Sequence, residues 1–176
     1  MSSKILNKNK LSRTPNHMKR IRKKIGDVYE IKTSKGLAYF QYNIENQKWG
    51  SLIRVLQGFY KTRPSYEEIY DLVKKPHRFQ KFLYLMDAIK DQEIVHVNTY
   101  PVPEFAQNLP VFKASNDLKT TPSKDKIWWL WDGEKSWKVG KLSLEEQMNY
   151  PLERLCDATA LIRNIETGMS LGDKLC

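Results

Sequence analysis

Cysteine is scarce in this chain: Cys156 and Cys176 are the only two, too few for a disulfide framework. Cys176 is the last residue, and Gly172-Asp173-Lys174-Leu175-Cys176 does not place it where prenylation needs it. Histidine is equally thin. His17, His77 and His96 stand apart, with no ligand neighbour at metal spacing. No apolar run approaches the roughly 20 residues of a membrane span, and no signal-peptide core precedes a small-residue cleavage site. Dinucleotide, P-loop and nucleophile-elbow motifs are missing too. These gaps point to a cytoplasmic protein that works by contact. No catalytic residue, cofactor, metal or membrane is expected.

Acid is also missing, but only from one place. Residues 1–24 carry nine lysines and arginines and no carboxylate, whereas the remainder has a net charge of only +1. The overall +10 is therefore an N-terminal feature. So basic a stretch has too little apolar surface to offset the cost of ordering its backbone, and it reads as a disordered arm. Lys19, Arg20, Arg22, Lys23 and Lys24 are its candidates for nucleic-acid contact, with affinity that falls as salt rises. A single domain is expected over residues 25–170, with a short tail at 171–176.

Tryptophan, by contrast, is concentrated. Four of the five lie between Trp128 and Trp137. Asp132-Gly133 separates two short aromatic runs there, which predicts a β-hairpin. Alternation puts Ile127, Trp129 and Trp131 on one face and Trp128 and Leu130 on the other. With both faces apolar, this strand should be central in a sheet or covered by a helix or a partner.

The rest of the chain alternates short strands with short helices. Asp27–Lys32 and Leu37–Tyr42 predict a hairpin turning through Thr33-Ser34-Lys35-Gly36. Ser51–Tyr60 predicts a third strand with a bulge at Gly58. Ser65 with Glu68 forms a capping box for a helix that buries Ile69, Leu72 and Val73 and stops before Pro76. Phe79–Leu85 and Ile94–Val97 read as strands around a helix at Met86–Gln92, and Val111–Lys113 as an edge strand. Ser143 with Glu146 marks a second capping box, and Asp157 caps a last helix ending at Gly168. The order predicts an α+β fold: one bent, mostly antiparallel sheet, short helices and a C-terminal helix.

The acids have local explanations. Glu67/Glu68 and Glu145/Glu146 sit in first helical turns, where the helix dipole favours them. The aromatics remain as contact candidates. Trp49, Arg54, Tyr60 and Trp128 are the expected partner-binding set, with Trp49 the most open because it lies in a turn-like stretch.

Lys24-Ile25-Gly26-Asp27-Val28-Tyr29-Glu30-Ile31, with Gly36-Leu37-Ala38-Tyr39-Phe40-Gln41-Tyr42 after the turn, resembles the start of the twenty-sixth immunity-protein family of bacterial polymorphic toxin systems. The order of elements that follows, up to about Gly168, is similar as well. The resemblance implies a small cytoplasmic protein that binds and neutralises a cognate toxin, with no catalytic residues. Nucleic-acid binding through the basic arm is the alternative.

Overall fold

The computed structural model describes residues 22–115 and 125–168. Lys19, Arg20, nearly all of the expected arm, the 171–176 tail and Cys176 lie outside the described residues.

Six strands form the main sheet: β1 (Asp27–Thr33), β2 (Gly36–Asn46), β3 (Gly50–Val55), β4 (Phe79–Leu83), β5 (Ile94–Thr99) and a two-residue β9 (Leu155–Cys156). Their order is β5-β1-β2-β3-β4-β9, antiparallel except for the parallel β4–β9 pair. A second sheet holds β6 (Phe112–Ala114), β7 (Ile127–Trp131) and β8 (Ser136–Lys141), with β7 in the middle. The tryptophan strand is thus central, as its two apolar faces require, but in a sheet of its own. The fold is a single α+β domain, as expected, with its strands divided between two sheets.

Both faces of β1 to β4 are covered, so these strands are buried almost throughout, whereas the edge strand β5 is largely open to solvent. On one face Tyr29, Ile31, Phe40, Ile53 and Val55 pack under α2 (Leu85–Lys90) and α4 (Ala158–Thr167). On the other, Val28, Tyr39 and Leu56 meet Ile69, Leu72 and Val73 of α1 (Tyr66–Lys74), together with Tyr100. Further along that second face, Leu52 and Phe82 pack against Phe112 and Trp131, which joins the two sheets.

Both capping boxes are present. Ser65 Oγ accepts from Glu68 N at 3.2 Å, and Glu68 Oε2 accepts from Ser65 N at 2.7 Å. Ser143 and Glu146 repeat the arrangement at α3 (Leu144–Met148). Replacing Ser65 by alanine leaves amide donors at the start of α1 unsatisfied and should cost about 1 kcal/mol in a urea titration.

Several elements differ from expectation. β3 stops at Val55, and Gly58 (φ +86°) makes a bend beyond it, not a bulge within it. The register shifts fall instead at Val28/Tyr29, Tyr42/Ile44 and Trp128/Trp129. The tryptophan hairpin turns through four residues, with Asp132 Oδ1 accepting from Glu134 N and Lys135 N at 2.9 and 2.8 Å. Those two amides are satisfied locally, so a tight two-residue turn is not needed.

Lys23 belongs to the folded body and not to the arm. Its ammonium donates to Glu45 Oε2 at 2.7 Å and to Ser51 Oγ at 2.5 Å. No helix among the described residues is long and apolar enough to cross a membrane.

Candidate binding surface

The Gly26-Asp27 step fastens the segment after β5 to the sheet. Gly26 has φ +99°, which disfavours any side chain, and a Cβ there would lie 2.5 Å from Tyr100 O. Gly26 N donates to Tyr42 O at 2.8 Å, and Tyr100 N donates to Gly26 O at 2.9 Å. Gln41 Nε2 adds bonds to both Gly26 O and Tyr100 O, at 3.1 and 2.9 Å. Asp27 accepts from Lys24 N at 2.7 Å and from the Thr99 hydroxyl at 2.6 Å, with His96 Nε2 at 3.2 Å from Oδ1. Gly26→Ala should therefore lose about 1–3 kcal/mol and loosen amide-exchange protection at Tyr100 first.

So held, Tyr100 supports two surface features. Its buried ring underlies two exposed tyrosines of α1. Tyr66 lies at 5.0 Å between ring centroids, with its carbonyl accepting from the Tyr100 hydroxyl at 3.3 Å, and Tyr70 lies at 6.3 Å. Tyr66 is 53% exposed and Tyr70 40%. Lys74 Nζ stands 3.8 Å from the Tyr70 ring centroid and also pairs with Asp71. Burial and the neighbouring Tyr66 and Glu67 push the Tyr100 hydroxyl pKa up, so it stays a neutral donor. Tyr100 also lines a groove of about 680 Å³, together with Lys24, Ile25, Pro101, Val102 and Gln107. Ile25 is half exposed, and the mouth of the groove combines apolar surface with a lysine. An aromatic tier beside a mixed groove is the composition of a protein-contact surface.

The residues singled out from the sequence lie elsewhere. Arg54 is completely buried, with Nε donating to Gln41 Oε1 at 2.9 Å and Nη2 to Val73 O at 2.6 Å. Trp128 is 4% exposed, with Lys113 and Lys126 over its ring. Neither presents itself at the surface, because the sheet faces that carry them are covered. Trp49 is half-buried: its turn folds the indole onto Phe82 at 6.2 Å, and Nε1 donates to Glu153 Oε1 at 2.9 Å. Tyr60 is half-buried against Tyr39. Arg22 and Lys24 are exposed and Lys23 is half-buried. The structure does not bring Trp49, Arg54, Tyr60 and Trp128 into one patch.

Tyr66 and Tyr70 were missed, yet the helical spacing carried a signal. Each sits three residues before a buried one, Ile69 and Val73. They therefore extend the apolar arc of α1 beyond the stripe that a sheet can cover.

Half-buried His77 has its ring 6.2 Å from that of Phe105. Burial, and secondarily the Arg54 charge, lowers its pKa. Below about pH 6.5 the unfolded chain then binds a proton that the folded chain resists, so stability falls as pH drops through that window. Urea midpoints at about pH 7.5 and about pH 5.5 should differ less in His77→Gln than in the parent.

Among the described residues, no group of three or more histidines, cysteines and carboxylates is placed to hold a metal ion. Compared with known proteins, the chain matches no family model, no curated protein and no solved structure.

Proposed function

We propose that this protein is a non-catalytic binding module. More particularly, it is an immunity-type protein that acts in the cytoplasm by binding and blocking a cognate toxin. The observation that carries the first step is the exposed Tyr66–Tyr70 tier, packed on Tyr100, which also lines the groove with Lys24 and Val102. Tyrosine supplies large contact area with little side-chain entropy to lose, and Tyr100 holds both rings from beneath. The resemblance of the Gly26-Asp27 hairpin to the immunity family supports the second step. The fold also gives that hairpin a purpose, since Gly26 and Asp27 tie down the segment that forms the groove wall.

The test is neutralisation. The gene is co-expressed with each toxin-like gene encoded beside it, and growth and co-purification are followed. Rescue with a stable complex is expected for one of them. If none is neutralised or bound, the immunity reading is lost.

A further inference from the structure

We propose that Arg54 anchors a site for a small oxyanion, a carboxylate or phosphate group, beneath the turn that carries Phe105. The site is separate from the tyrosine surface and does not depend on the toxin-blocking reading.

A fully desolvated charge is costly unless it is paired. The sheet face that carries Arg54 shows what pairing looks like. Buried Glu30 takes both prongs of Arg63, at 2.8 and 3.1 Å, and the Tyr39 hydroxyl at 2.7 Å. Arg54 is more deeply buried, yet among the described residues no carboxylate pairs with it. Neutral oxygens of Gln41 and Val73 take Nε and Nη2, and Nη1 is left with no partner. Burial, with no acid opposing it, draws its pKa down to about 10, so the group is still cationic at neutral pH.

Other unpartnered polar atoms surround it. Gln80 is the cross-strand neighbour of Arg54, and its Nε2 has no partner. His77 Nδ1 has none either. The Arg54 guanidinium carbon and the His77 ring flank the same Phe105 ring, at 5.6 and 6.2 Å. Besides Nη1 itself, two nitrogens able to donate thus belong to neighbours of the one cation. An oxyanion would take the Nη1 hydrogens with charge-assisted bonds and accept from Gln80 and His77. A guanidinium suits either planar carboxylate or phosphate.

Access is through the roof. Phe105 is 53% exposed although its ring covers a buried cation. It rides on a single 3₁₀ turn, Glu104–Ala106, held to the sheet by the Asn43 Nδ2 bond to Ala106 O at 2.9 Å. Asn43 also lines the groove, and its Oδ1 has no partner. Arg54 is covered by α1, through Val73, and by this turn, and the turn is the cover that the proposal requires to move.

The experiment uses the full chain with isotope-labelled arginine. Sodium phosphate and sodium acetate are titrated separately at constant ionic strength, with chloride as the balance. The Arg54 Nε–H signal and the thermal midpoint are followed. A saturable shift of that signal, with a rise in midpoint, is expected for at least one anion. Phosphate alone assigns a phosphate group, and acetate alone a carboxylate. Gln80→Leu, close to isosteric, should weaken the response about tenfold through loss of a bond to a charged ligand. Phe105→Ala, at an exposed position, should leave the fold intact and speed association. The proposal is overturned if neither anion moves the Arg54 signal in the parent or in Phe105→Ala, which leaves a buried water as the partner of Nη1. It is equally overturned if the midpoint rises as much in Gln80→Leu with Arg54 unmoved, since the anion then binds elsewhere.

Discussion

Replacing Tyr66 and Tyr70 together by alanine should weaken binding of the proposed toxin partner by roughly 30- to 1,000-fold, the loss of about 2–4 kcal/mol typical of aromatic hot spots. The thermal midpoint should barely move. Both rings project from the outer edge of α1, while Ile69, Leu72 and Val73 do the burying and the Ser65–Glu68 capping box is untouched. Tyr100 is the informative contrast. It is buried, its backbone is bonded to Gly26 and Gln41, and alanine there should lower stability and binding together. Binding by the double variant at parental affinity, measured by calorimetry on the purified pair, would place the contact on another face.

Phe82→Ala should have the largest effect on stability, about 3–5 kcal/mol, the usual cost of deleting a fully buried aromatic ring. Much of a domain's ordinary margin of about 5–15 kcal/mol would disappear. Phe82 belongs to the main sheet, but its ring is the joint between the two. Phe112 lies 4.9 Å away between centroids, Trp131 at 6.5 Å and Trp49 at 6.2 Å. A cavity there detaches the tryptophan sheet from its support. Tryptophan fluorescence and far-ultraviolet dichroism should both shift to lower urea, and they should shift together. Separate transitions would mean that the two sheets fold independently and that the joint contributes little.

Local features were well marked in the residues. Ser65 with Glu68, Ser143 with Glu146, Asp157 before α4 and the stop before Pro76 each depend on neighbours within a few positions. So does the hairpin that opens with Gly26-Asp27. The contact candidates were much less legible. Arg54 sits in an alternating strand, where a charge ordinarily faces water. Here α1 and the Phe105 turn close over that face and leave the guanidinium inside. Trp49 follows a turn, where an indole ordinarily projects outward, but Glu153, from a distant part of the chain, receives its N–H.

The sequence by itself determined most of the elements, their caps, the neutral body and the place of the basic charge, because these follow from spacing and composition. Only the tertiary structure decided which strands formed which sheet, which aromatics met solvent, and that an arginine lies buried with no carboxylate partner among the described residues, next to the unpartnered amide of Gln80. Those outcomes depend on what covers each face, and the covering segments come from residues far away along the chain.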